Sequence, residues 1–281
     1  MVSDAQINSL RRQAGELRSR IVSMMGAGKA HHFGGSLSAT DIVTALYFYK
    51  MRFNPADPKW PDRDRFIMSK GHSVPAQYAA LATLGVFPLE ELATLKNLGS
   101  RLQGHPSMQI TPGIEACTGA LGEGLSFANG MALAARLQGK SYRVYCLLGD
   151  GELHEGQVWE AAMTSAKHCL DNLVAIIDRN HLKAMDRTEC GKILEPLAVR
   201  FSSFGWAVKE VNGHDMAALC QALDWADGQV KQPSMIVANT VKGQGISFMA
   251  GQPGFHNAPI TEEQYRQAES ELALALQEQT R

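Results

Sequence analysis

Two apolar runs flanking a helical stretch restrict the fold of this chain more than any other feature. Val144-Tyr145-Cys146-Leu147-Leu148 leads into Gly149-Asp150-Gly151, and Leu173-Val174-Ala175-Ile176-Ile177 ends in Asp178-Arg179-Asn180. Short apolar runs bounded by turn residues read as buried strands. Strand, turn, helix, strand is a parallel crossover unit, whose two strands commonly lie side by side. Asp150 and Asn180 then sit just past neighbouring strand ends, where open α/β sheets bind ligands. A carboxylate and an amide beside a glycine turn suit a hard cation carrying a diphosphate, because Mg²⁺ takes few protein oxygens and shares the rest with phosphate and water.

The remaining segments extend this pattern. Ile7 to Met25 carries apolar residues at helical spacing, and a Gly/His-rich break follows from Gly26 to Ser38. A second helix is expected to open at Thr40-Asp41, and a strand at Arg65 to Ser69. Helices are expected from about Pro75 to Leu84, from about Leu89 to Leu98, and over the alanine-rich run Gly124 to Gln138. Trp206 to Val211 and Ser234 to Asn239 read as strands around a helix at Met216 to Ala226. At least four strands alternating with helices predict an α/β fold, a parallel sheet with helices on both faces. One diphosphate-binding domain is expected over 1–281, with a helical tail from about Pro259 opened by the capping box Thr261-x-x-Gln264.

With 45% hydrophobic and 20% charged residues, the composition is that of a globular protein. A formal net charge of −1 supplies no basic field for nucleic acid and no polybasic face for anionic lipid. No apolar run approaches a membrane span, and the charged N-terminus lacks the apolar region of a signal peptide. The five cysteines are odd in number and contain no C-x-x-C pair; they read as small buried hydrophobes of a reducing, cytoplasmic protein.

Two phosphate motifs drop out. Gly139-Lys140-Ser141 lacks the leading glycine of a P-loop and precedes a strand, so it reads as a surface turn. Phe127 stands where the last glycine of a dinucleotide fingerprint beginning at Gly122 would fall. Four histidines are more telling: His32, His72, His105 and His256 each lie in or beside a Gly- or Pro-containing loop. They suit proton transfer and sugar-hydroxyl binding near neutral pH, and none has the close spacing usual for a zinc pair. His31, His154, His168, His181 and His214 read as structural or exposed. Glu155 and Glu160, set among Trp159, Ala161, Ala162 and Met163, are expected to be buried members of a functional network.

Together these segments resemble the N-terminal portion of a transketolase, in the form split into two polypeptides. The Gly149-Asp150-Gly151 … Asn180 stretch resembles the thiamine diphosphate motif. Ser69-Lys70-Gly71-His72, Gly99 to Pro106, Thr118 to Gly124 and Thr240-Val241-Lys242-Gly243-Gln244-Gly245 are similar to transketolase segments and stand in transketolase order. The resemblance implies that Asp150, Asn180 and the carbonyl of Leu182 hold Mg²⁺ or Ca²⁺ on thiamine diphosphate. It implies that Gly149 and Gly151 lie at the diphosphate, and that His72, Gly119, Ala120, Leu121 and His256 line the cofactor. His32, His72, His105 and His256 would be the catalytic histidines, and Glu155 and Glu160 interface carboxylates between the two cofactors of a dimer.

The implied activity is transfer of a two-carbon ketol unit from a ketose phosphate to an aldose. The chain stops at Arg281, before the domain that in this family binds the aminopyrimidine ring. It is therefore expected to need a C-terminal partner subunit, with two copies of each. Related readings are a 1-deoxyxylulose-5-phosphate synthase-like or 2-oxo acid dehydrogenase alpha-like subunit, or a non-catalytic cofactor-binding domain. The histidine series disfavours the dehydrogenase, and retention of Asp150, Asn180 and the four histidines counts against a non-catalytic domain. His31-His32-Phe33, Ala120 and Phe255-His256-Asn257 depart from the family pattern; His31 competes with His32 for the substrate-contacting role.

Overall fold

The structure is a computed structural model that describes residues 2–184, 186–190 and 194–279. Among these residues five strands form one sheet: β1 (Arg65–Met68), β2 (Val144–Gly149), β3 (Leu173–Arg179), β4 (Ala207–Asn212) and β5 (Ser234–Asn239). Their order is β1-β2-β3-β5-β4 and every pairing is parallel. The carboxyl ends of all five strands therefore open on one side of the sheet, with the central β3 between β2 and β5.

Side-chain alternation along the strands divides the interior into two cores. Tyr145, Leu147, Val174, Ile176, Ile236 and Ala238 join the core beneath α1 (Asp4–Met25), α2 (Phe33–Ala45), α3 (Val74–Thr83) and α7 (Met216–Asp227). Val144, Cys146, Leu148, Ala175, Ile177 and Val237 join the opposite core, beneath α4 (Gly124–Leu137), α5 (Gly156–Lys167) and α6 (Leu197–Ser203). The expected sheet covered on both faces is present. Because both faces are buried, β2 and β3 read as continuous apolar runs. α8 (Glu262–Glu278) opens with the anticipated Thr261–Gln264 capping box and packs along α1, where Leu276 lies against Gly15.

Three local expectations are corrected. The second helix starts at Phe33, seven residues before the Thr40 boundary; it is buried along its whole length, so no amphipathic period marks its start. The stretch after Pro88 is a short 3₁₀ segment, Leu89–Thr94, whose apolar anchor is Leu92, and not a helix reaching Leu98. Only Cys146 and Cys220 are buried; Cys117, Cys169 and Cys190 are exposed free thiols.

Candidate functional site

The register of the central strands sets the site. Gly149 pairs with Asp178, which places Asp150 beside the Arg179-Asn180-His181 turn. Asp150 is 1% exposed, and its Oδ2 accepts from the His181 amide at 2.6 Å and from Arg179 at 3.0 Å. Burial, with the Asp178 charge next to it, pushes the Asp150 carboxyl up to about 6, against the opposing pull of Arg179. Arg179 also binds Glu189 at 2.8 Å, Glu195 at 2.9 Å and Thr188 at 2.6 Å, so it ties the following loop to the strand end.

Asp178, the last buried acid of β3, is completely enclosed. It accepts from Ser38 at 2.5 Å and Asn180 Nδ2 at 3.3 Å, and also from Lys70 and Thr240. Burial raises its carboxyl, but Lys70 and these donors outweigh that and hold it below the ordinary carboxylate range. Glu152, just beyond the β2 turn, is a second buried anchor. Its carboxylate accepts from Gly122 at 2.8 Å, from Gly149 at 2.9 Å, and from Ser69, pinning three loops together.

Above these acids lies a cavity of about 200 Å³. Eight of the anticipated residues line it: His72, Leu121, Gly149, Asp150, Gly151, Asn180, Leu182 and His256. Lys70 and Lys242 line it too. Lys242 is 2% exposed and donates to the Leu182 and Lys183 carbonyls at 3.2 and 3.0 Å, with His256 Nδ1 at 2.9 Å. Among the described residues it has no ion-pair partner, and burial plus the Lys70 charge lower its pKa to about 8. An ammonium group acts as donor, so His256 Nδ1 accepts and its proton resides on Nε2.

The four loop histidines converge. The His32 ring centroid lies 5.0 Å from His72, 5.3 Å from His256 and 6.4 Å from His105, and His72 lies 5.1 Å from His256. Burial, then Lys96, lowers His32 to about 4; burial, then Lys242, lowers His256 to about 3. Burial and Lys70 hold His72 well below its ordinary range, and burial and Lys96 lower His105. All four are thus neutral imidazoles at neutral pH, able to accept a proton. His31 is turned away, buried edge-on against Phe33 at 6.1 Å and bridged through its backbone to Ala258.

The loop Gly119-Ala120-Leu121 reaches this cluster at both ends: Leu121 lines the cavity, and Gly119 lies directly against the His105 ring. Ala120 itself faces solvent. The expected burial of Glu155 and Glu160 is corrected, because both are exposed. α5 buries Val158, Ala161, Ala162 and Ser165, which leaves Glu160 on the outer face, while Glu155 precedes the first turn. The buried acid of this segment is Glu152, and nothing in its sequence spacing distinguishes it from its neighbours. Lys70 and Lys242 lie in segments that carry the family resemblance without being singled out there, and Asp178 carries no mark beyond standing at a strand end.

The donor set fits the anticipated group. One carboxylate, one amide oxygen and one main-chain carbonyl are hard oxygen ligands of the kind Mg²⁺ supplements with phosphate and water. Two buried ammonium groups, one without a carboxylate partner, suit a diphosphate.

The chain belongs to the transketolase family: residues 11–279 match the family's thiamine diphosphate binding domain. It is 44% identical over 268 residues to one of the subunits of the apulose-4-phosphate transketolase of Phocaeicola vulgatus, covering 95% of each chain. It is 42% identical to 6-deoxy-6-sulfo-D-fructose transketolase subunit SqwG of a Clostridium species, covering 96% of this chain and 98% of that one. The crystal structure of transketolase from Campylobacter jejuni superimposes with a TM-score of 0.89 at 32% identity, over 96% of this chain and 43% of that chain. The chain thus spans less than half of the Campylobacter jejuni transketolase chain and nearly all of each of the two subunits.

Proposed function

We propose that this chain binds thiamine diphosphate with Mg²⁺ or Ca²⁺ and serves as the N-terminal subunit of a two-component transketolase. The observation that carries this is that the Asp150–Asn180–Leu182 oxygen set, two buried lysines, His72 and His256 line one cavity, with His32 and His105 clustered beside those histidines. Asp150, Asn180 and the Leu182 carbonyl hold the metal. Lys70, Lys242 and the Gly149 and Gly151 backbone face the diphosphate, with Leu121, His72 and His256 beside the rest of the cofactor.

When bound, thiamine diphosphate supplies the nucleophilic carbon through which a two-carbon ketol unit passes from a ketose phosphate to an aldose. His32, His72, His105 and His256 bind sugar hydroxyls through ring nitrogens that donate or accept, and exchange protons with substrate oxygens. Asp150 and Asn180 do no proton transfer; they would hold the metal, which anchors and neutralises the diphosphate end.

The partner is a C-terminal subunit with the pyrimidine-binding half of the site, in an assembly of two copies of each. Supporting this, the relatives matched end to end are named as subunits. Exposed Glu155 lies at the start of α5, and exposed Glu160 and Met163 lie three residues apart on it, a face suited to a subunit contact. Five free cysteines agree with a cytoplasmic protein.

The test is reconstitution. The purified chain with thiamine diphosphate and Mg²⁺ is expected to show no ketol transfer from ketose phosphates, and to gain it when the cognate C-terminal subunit is added. Transfer by the chain alone would remove the two-component reading, and inactivity of the reconstituted pair would remove the catalytic one.

A further inference from the structure

A metal ligand must present the correct atom as well as lie in the correct place. An asparagine offers an oxygen on one side of its amide and two N–H donors on the other, and only the oxygen can ligate a cation. At Asn180 the surroundings permit one orientation. Its Nδ2 faces Asp178 Oδ2 at 3.3 Å and Ser38 Oγ at 3.5 Å, while its Oδ1 accepts from the Leu182 amide at 3.2 Å. An ionised carboxylate only accepts and a main-chain N–H only donates. A flipped amide would therefore set oxygen against the carboxylate and N–H against the Leu182 N–H.

Asp178 is itself fixed from several elements. Ser38 on α2, Lys70 after β1 and Thr240 after β5 all donate to it. Lys70 also donates to the Gly35 carbonyl at 2.9 Å. Asp178 does not line the cavity, whereas Lys70 and Asn180 do. We propose that Asp178 is a positioning residue for the metal: it holds the Asn180 amide with nitrogen inward and oxygen available to the cation. It sets that orientation from behind and touches neither metal nor diphosphate. This inference rests on the cofactor assignment above and adds to it the residue that selects the ligating atom.

An outer partner of this kind typically accounts for about 10- to 100-fold in metal affinity. The experiment measures Mn²⁺ retention by the full-length chain at saturating thiamine diphosphate, with free Mn²⁺ read by electron paramagnetic resonance. Asn180→Asp is expected to weaken Mn²⁺ retention by about 10-fold or more, since the new carboxylate faces Asp178. The exchange variant D178N/N180D restores an amide–carboxylate pair and is expected to recover most of that loss.

Asp178→Asn alone is expected to lower retention about 10- to 100-fold. It also leaves Lys70 without its counter-charge, so circular dichroism is recorded for each variant. If it does not fold, N180D alone carries the test, because the exchange variant holds the same substitution. Unchanged or tighter Mn²⁺ binding in N180D overturns the proposal, as does an exchange variant weaker than N180D, because a purely structural Asp178 would give additive losses. Failure of the wild-type chain to retain Mn²⁺ and thiamine diphosphate sinks the cofactor assignment, and this inference with it. Wild-type retention with indifferent variants sinks this inference alone.

Discussion

Lys242 enters the cleft as a cation whose hydrogen-bond partners are two main-chain carbonyls and a neutral imidazole. Burial and the nearby Lys70 lower its pKa to about 8, against the opposing pull of the Asp150 and Asp178 charges. A charge-assisted hydrogen bond is worth about 1.5–3 kcal/mol, which is roughly 10- to 150-fold in affinity. Lys242→Met is therefore expected to weaken thiamine diphosphate binding by about that factor in a fluorescence titration. The melting temperature of the cofactor-free chain should hold or rise, because the substitution removes a buried charge that lacks an ionic partner. A lowered melting temperature with unaltered cofactor affinity would show that Lys242 serves the fold and not the anion.

At the scale of elements, the cleft depends on loops approaching strand ends more closely than side chains permit. Gly71 follows β1, and a methyl group there would lie 2.7 Å from the Thr118 carbonyl oxygen. Gly34 opens α2 with its Cα facing the Lys242 side chain, at 2.8 Å from a Cβ in that position. Gly71→Ala is expected to push the Thr118–Gly124 loop away, destabilising the chain by about 1–3 kcal/mol as overpacking does. Cofactor affinity should fall as well, since Leu121 on that loop lines the cavity; thermal melts and titration of the same variant check both effects. The strands are legible in the sequence because buried parallel strands write themselves as apolar runs. The start of α2 is not, because a helix buried on all sides carries no period and its Gly34-Gly35 pair mimics a loop. The Leu89–Thr94 segment misleads for the opposite reason: its apolar residues imitate a helical period that only Leu92 uses.

For the whole molecule, the cleft makes stability depend on pH. An imidazole titrates near 6.5 in the unfolded chain, whereas burial and lysine charges hold His31 and His32 at about 4 and His256 at about 3 in the folded one. As pH falls below about 6.5 the unfolded state takes up protons first, so this stabilisation is complete above that pH and is lost on acidification. The melting temperature is expected to fall between about pH 7.5 and pH 5, each such histidine contributing on the order of 1 kcal/mol after solvent screening, with Asp150, raised to about 6, offsetting part of the fall. His32→Asn should flatten that slope, and an unchanged slope would refute the assignment of a buried neutral imidazole. The sequence by itself determined the parallel α/β sheet, the family, the Asp150–Asn180 pair and the four loop histidines. Those follow from burial patterns and from residue types placed at turns, which are local properties. Only the tertiary structure decided that His32 joins the cluster while His31 packs against Phe33. It alone showed Glu155 and Glu160 exposed and Glu152 buried, and Asp178, Lys70 and Lys242 supporting the cleft from within. A side chain's direction, and which charge it meets across a hundred residues of chain, is fixed by how strand ends pack together, and that information exists only once the sheet has formed.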